Sequence, residues 1–482
     1  MALTDYAQKR QERVFARSQA VVGKFTMPTA RDAIKIRGGA TMPATGSDFV
    51  PSEEVRDTPD TDQFLKRKKP PAAFTLTTYA KVPTTPGVPP QWHELAKQSY
   101  GSGGFALTVG ATFVGPVAVI LDGVPVTIPA ITDTGTATQR AAALATAVNG
   151  VTGLDATSAG AVCYLGTDLG AGELRIDTTT PVTGLTVGPV TYRFQTTPVD
   201  IVERLLTMIH YTDNAADYYR DCLVNNVAVR AEGTNEASLV FSGFLGNSTS
   251  ASQTLLAGAL GAHDGVTPVA FAVTDPAFQV GPTVDDVSWM VVDGEAFKVV
   301  DFDPNAMTGH AIGAQFGTTA ATHASGAEVR PWIPGPDPDA NDHIIGLTIG
   351  ALTIDGTAYR IINTETRKDE RVVARIDEAF EAALTGYKRT LDPRDVGGTI
   401  LAYQRRAILG LTTWSEREKA GHAVLRLGNT TGPRLELDYP LFRLGRVDKG
   451  EQAGEFTRSF PFQGLASGTP GNDGVSMTVS AV

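Results

Sequence analysis

"DCLVNNVAVRAEGTNEASLVFSGFLG" runs from Asp221 to Gly246. Leu223, Val227 and Val229 alternate with polar residues before a turn at Glu232-Gly233, and Ala237, Leu239 and Phe241 alternate after it. A period of two sends one set of side chains to a core and the other to solvent, so the stretch reads as a long antiparallel hairpin. "LDYPLFRLGRVDKGEQAGEFTRSFPFQGLA" (Leu437–Ala466) follows the same plan: strand, a turn carrying Glu and Gly, strand, then Phe-x-Gly. Two such hairpins in one chain point to an internal duplication, one β-domain present twice.

Composition agrees with a β reading. The chain has 482 residues, 42% of them apolar, with 50 Gly and 29 Pro, which suits several domains of short strands joined by turns. A net charge of −11 argues against a protein that grips nucleic acid through phosphate contacts. The first residues, "MALTDYAQKRQERVFARSQAVVGKF", lack an apolar core segment and do not read as a secretory signal. No run of about eighteen apolar residues occurs, so no membrane insertion is expected and the chain reads as soluble. Cys163 and Cys222 lie in no CxxC pattern and are expected to be reduced thiols.

Outward from the first hairpin, residues 1–45 read as an N-terminal arm, with a short polar helix over Ala7–Gln19. Phe74–Val82 reads as a strand with Phe74, Leu76, Thr78 and Ala80 on one face. "PPQWHELAKQSYG" reads as a helix starting near Pro90 and stopping at Gly101. "GSGG" (Gly101–Gly104) opens a small α+β module, 101–195, with a hairpin turning on Asp122-Gly123. Its helix, "TATQRAAALATAVNG", buries Ala141, Leu144, Ala145 and Val148, with Gly150 at C′. "VDIVERLLTMIHY" has Ile201, Leu205, Met208 and Ile209 at helical spacing and is expected to be an amphipathic helix. A small β-barrel or sandwich is expected over 266–335, with a hairpin on Asp293-Gly294, and "PGPDPDAND" reads as a linker. The rest, 336–482, is again β with one helical region; "RVVARIDEAFEAALTGYKR" is a strand pair or a helix. The fold class is therefore mainly β: duplicated β-sandwich or half-barrel domains, a few short helices, and small inserted α+β and β modules. The two β-domains are 46–100 with 196–265, and 336–482.

Catalytic chemistry has no foothold. There is no Walker loop and no G-x-S-x-G elbow. "HELAK" (His93–Lys97) starts like a zincin motif but lacks the second histidine. "DPDAND" (Asp337–Asp342) starts like a calcium loop, but Asp342 stands where Gly is needed and Thr348 where Glu is needed. His310 and His323 with Glu328 form a conceivable zinc set, against which scattered surface polarity is the better account. No catalytic, cofactor-binding or metal site and no cofactor are expected.

"VDGEAFKVVDFDPNAMTGHAIGAQFGTTAATHASGAEV" resembles a small β-module of tailed-phage structural proteins. The matching residues are Asp293, Gly294, Glu295, Val299, Gly317, Thr318, Ala320, His323, Gly326 and Val329. In that resemblance the glycines serve turns, His323 is a structural hydrogen-bonding residue, and the module decorates. "FVPSEEVRD" (Phe49–Asp57), the first hairpin, "GLTIGALTIDGTAYRIINTETRK" (Gly346–Lys368) and "GEFTRSFPFQGLA" (Gly454–Ala466) resemble the tail tube protein of phages with long non-contractile tails. This likeness covers roughly 45–95, 196–250 and 344–468; the modules at 101–195 and 266–335 depart from a minimal tube protein. It implies two tube domains per chain and self-association into stacked rings, as a trimer with pseudo-sixfold symmetry or a hexamer. It further implies a tape measure protein and then DNA in the lumen, tail terminator and tail-tip proteins at the ends, and a place in the virion after synthesis in the host cytoplasm. The alternative is a tail-tip, baseplate or adhesin component that binds a host-surface glycan.

Overall fold

The computed structural model describes residues 12–19, 24–43, 49–51, 64–66, 72–85, 87–100, 102–121, 123–132, 135–167, 174–177, 182–193, 205–212, 215–275, 288–335, 339, 341–369, 372–375, 386–389, 395–428, 432–465 and 474–480. Its first half contains β1 (Glu12–Ser18), β2 (Ile36–Thr41), β3 (Ala72–Tyr79) and α1 (His93–Tyr100). An insert with helix α2 (Ala137–Asn149) follows, then β4 (Leu206–Thr212), β5 (Ala215–Glu232), β6 (Ser238–Leu245) and β7 (Asn247–Ser252). The second half contains β8 (Leu347–Ile354), β9 (Asn363–Asp369), β10 (Asp395–Tyr403) and α3 (Arg406–Glu416). It continues with β11 (Ala420–Gly428), β12 (Arg434–Leu444), β13 (Asp448–Gln452), β14 (Glu455–Leu465) and β15 (Ser476–Ser480).

The halves share one topology. Antiparallel ladders give the order β1–β4–β5–β6–β3–β2 in the first and β8–β11–β12–β14–β10–β9 in the second. Each half places its helix after the same strand and lays its last strand on the same neighbour, β7 on β5 and β15 on β12. Two-stranded hairpins, 49–51 with 64–66 and 372–375 with 386–389, also fall at equivalent points of the chain. The fold is therefore mainly β and duplicated, with a curled half-barrel sheet. The Phe-x-Gly signature has a packing reason. Phe241 faces Leu76 and Phe462 faces Gly398. A Cβ on Gly243 would sit 2.7 Å from Phe74, and one on Gly464 would sit 2.9 Å from Val396. Phe74 and Val396 occupy the same place in β3 and β10, so each glycine makes room for the neighbouring strand's core residue.

β5 turns one sheet into two layers. Its first part lies between β4 and β7, its second part between β9 and β6. The bend falls at Asp221, whose φ is +58°, opposite Gly246. Between the layers lies the main core, including Phe74, Leu76, Val227, Val229 and Phe241, all essentially inaccessible.

Several expectations are corrected here. Residues Glu12–Ser18 are strand β1, not helix, and Ile36–Thr41 are β2, so both strands belong to the first half and not to an arm; residues 1–11 and 20–23 lie outside the described residues. Of the expected amphipathic helix, the part from Leu206 on is strand β4 (Leu206–Thr212), and Ile201 lies outside the described residues. Leu206 and Met208 enter the main core, whereas Ile209 and Tyr211 pack on Phe15 and Tyr218 in a second cluster. A strand buried on both faces loses its alternation, and its apolar residues then match helical spacing by accident. Gly150 caps α2 with a right-handed φ of −83°, so no left-handed C′ occurs there.

The inserts differ in kind. The α+β insert is not a loosely joined module. Ser102, Gly103 and Gly104 sit in a ladder with residues 191–193, Val190–Tyr192 pair with β15, and its core residues continue the main core. The β module begins at Thr254, not 266, and ends at Pro331, with its own core around Phe297, Met290 and Leu256. It is held rather than tethered: Tyr218 donates to the Trp332 carbonyl at 3.1 Å, Phe316 stacks on Trp332 at 4.1 Å, and Ile333 packs against the second cluster.

Candidate functional site: the seam between the halves

The two halves meet edge to edge. Asn226–Glu232 of β5 pairs in unbroken register with Asn363–Asp369 of β9. Alternation sends Val227, Val229 and Ala231, with Thr364, Thr366 and Lys368, into the core. Lys368 crosses the seam: its ammonium lies 2.5 Å from the Ser99 carbonyl at the end of α1 and 4.4 Å from the centre of the Tyr100 ring. A helix C-terminus and an aromatic face both attract a cation, which is how this buried lysine is accommodated.

The opposite face of the seam is polar and exposed. Arg230 pairs with Glu365 at 2.9 Å, and Arg367 pairs with Asp395 at 2.9 Å and approaches Asp369 at 4.0 Å. Asp369 also accepts from the Asn226 amide. Glu232 adds a further exposed carboxylate. The arginines are thus outnumbered and already engaged. Outward neighbours on β3 and β6 are small or neutral: Thr75, Thr77 and Ser242. Such a face offers phosphates little to hold.

Each half has an edge equivalent to one used at the seam, and both equivalents are free of strand partners among the described residues. β2, the counterpart of β9, pairs only with β3. At the other end, the stretch from Leu444 to Lys449, beyond the last β11–β12 pair at Ala420 and Arg443, is the counterpart of the part of β5 that β9 covers. Between it and α3 runs a groove of about 810 Å³, lined by Leu409, Thr412, Glu416, Arg446, Val447 and Arg458. All eight residues of α1 are buried, whereas Leu409 of α3 stays 43% exposed.

Residues weighed for chemistry are dispersed. His310 pairs with Asp301, and Glu328 with Arg330. His323 is buried between Asp293 (3.2 Å) and Glu295 (3.0 Å), and Glu295 also accepts the Ala314 and Ala321 amides. This explains the D-G-E…H pattern: the turn acid ties down the loop that returns over it. The turn itself has φ of +49° and +93° at Asp293 and Gly294. Glu94 and Lys97 of "HELAK" form a buried ion pair at 3.2 Å that Ser18 joins. Cys163 and Cys222 are free and buried, and burial pushes the Cys163 thiol up to about 12. Among the described residues no cluster of three or more His, Cys, Asp or Glu is arranged to hold a metal ion, and no helix is long and apolar enough to cross a membrane. Asp337 lies outside the described residues. No protein-family model matches the chain, and no curated protein matches it in sequence.

The lone signal of this surface in the sequence was the repeated hairpin. That β9 would pair with β5 had no local mark, because the two strands are separated by the whole β module.

Proposed function

We propose that the chain is a structural tail tube protein that closes head to tail into rings, which stack into the hollow phage tail through which DNA is delivered. The observation that carries this reading is the seam: one half already accepts the β9 edge of the other, and the equivalent β2 edge and α3 groove stand free at opposite ends. Repeating the seam operation between chains joins β2 of one copy to the Leu444–Lys449 edge of the next. The continuous run β2–β3–β6–β5–β9–β10–β14–β13 then extends around a ring without exposed edges. Three chains complete a barrel of twenty-four strands, about 48 Å across at the backbone for strands ~4.8 Å apart and tilted ~40°. That is wide enough for a tape measure protein and then for a DNA duplex. The charge-paired polar face lines the lumen, where an acidic balance keeps DNA from sticking. The trimer with pseudo-sixfold symmetry follows from two halves per chain, and tail terminator and tail-tip proteins cover the open ends of the stack. Electron microscopy of the purified chain tests this: hollow rods with three chains per ring are the expected result. A compact oligomer of fixed size would favour the tail-tip or adhesin reading instead.

A further inference from the structure

The free β2 edge is not a plain strand edge. Ala40 faces Leu76 of β3, as Thr366 of β9 faces Gly398 of β10. On its other side Thr366 has Val229 of β5 as ladder partner. Ala40 has a side chain there: its backbone N–H donates to Glu12 Oε1 at 2.9 Å. Glu12 is itself fixed, because the same oxygen lies 2.9 Å from His210 Nε2, and both side chains are nearly buried, at 10% and 11% exposure. Immediately before Ala40 the edge is bulged. Ile36 faces Thr78 and Ala40 faces Leu76, so β2 advances four residues while β3 advances two. Gly38 and Gly39 take up the difference with φ of +78° and +98°. The opposite free edge is interrupted as well: Leu444 faces Phe462 and Asp448 faces Ser459, four residues against three. Neither interruption occurs in the seam inside the chain, where the ladder is continuous.

We infer that Glu12, held by His210, is a stopper on the edge through which a second copy of this chain pairs, keeping the isolated chain from joining other copies until the ring forms. This rests on the ring reading above, and it adds the control of that edge. A carboxylate on an edge amide occupies the donor that an incoming strand needs, and a bulge removes the flat template that promiscuous pairing requires. Ring closure then requires Glu12 to leave the Ala40 amide so that the neighbouring strand can take it, as β5 takes the equivalent edge within the chain.

Light scattering of the full-length chain at one fixed concentration tests the stopper. Glu12→Ala is expected to associate about tenfold faster than the wild type, the value of one charge-assisted hydrogen bond that no longer has to be broken. Glu12→Gln keeps an acceptor on Ala40 and is expected to associate at the wild-type rate. If Glu12→Ala unfolds because His210 loses its partner, Glu12→Ala combined with His210→Phe removes the buried polar group and keeps the edge open. Unchanged or slower association of a folded Glu12→Ala or double variant overturns the stopper. So does a Glu12→Gln variant as fast as Glu12→Ala, because charge and not the blocked amide would then be in control. Microscopy of the fast-associating variant separates the two readings. Closed rings or rods support both, while irregular strand-paired aggregates support the stopper and refute the tube.

Discussion

Phe241 sits where the seam, the hairpin and the core converge. It is fully buried, faces Leu76 and Val227, and has its counterpart in Phe462. Phe241→Ala is expected to cost about 3–5 kcal/mol, read as a lowered midpoint in chemical denaturation. Two buried acids set the pH response in opposite directions. Burial opposes ionisation of Glu94, but the Lys97 ammonium, His93 and the Ser18 hydroxyl overcome it and hold the carboxyl at about 2. Its contribution to stability is present above the ordinary range near 4.5 and is lost as pH falls towards 2. Burial lifts Asp32 from 3.8 to about 6, against the pull of Arg17 and the Thr29 hydrogen bonds. This group favours the folded state when protonated, so stability declines as pH rises through that window. Melting temperatures of Asp32→Asn are expected to lose the decline between pH 4 and 6 (the limits of the Asp32 shift) and keep the acid-side loss. Glu94→Gln should show the reverse.

The two inserts make a contrast at the level of elements. The β module has a core of its own and enters and leaves the body between residues 252 and 334. Replacing residues 254–331 by a short Gly/Ser linker is expected to leave the melting transition of the body within a few degrees of the intact chain. The α+β insert lends a strand to β15 and side chains to the main core. Replacing 105–190 in the same way is expected to abolish cooperative melting, since Phe105, Leu107 and Leu165 leave a large void. Circular dichroism melts of the two deletions read both outcomes. Gly243 belongs to this scale too: Gly243→Val would press its Cβ against Phe74 and the Leu223 carbonyl and push β6 off both neighbours.

For the whole molecule, the decisive property is how little the polar face offers a polyanion. Arg230 and Arg367 are neutralised by Glu365, Asp369 and Asp395. The double variant Glu365→Ala with Asp395→Ala should free Arg230 and leave Arg367 only its 4.0 Å approach to Asp369, while keeping the β5–β9 backbone ladder intact. In the assembly proposed above, rods of that variant are expected to retain duplex DNA in a sedimentation assay at low salt and release it at high salt, and rods of the wild type are expected to retain none. Retention equal to that of the wild type would place this face outside the lumen.

The sequence alone determined the hairpins, because alternation and turn chemistry are local. Asp293-Gly294 had to supply positive φ, and Phe241 and Leu239 had to share a face with Val227 and Val229. It also carried the duplication, through two Phe-x-Gly endings whose glycines turn out to clear Phe74 and Val396. The strand character of β1 and β4 was illegible, because both are buried on two faces and leave no period of two to read. The seam was illegible for another reason. Whether β9 pairs with β5 depends on which edges the folded sheet brings together across more than a hundred residues of chain, and whether Glu12 reaches the amide of Ala40 depends on where that sheet lays β1. Long-range pairing is decided by the closure of the whole sheet around its core, and no local pattern encodes it.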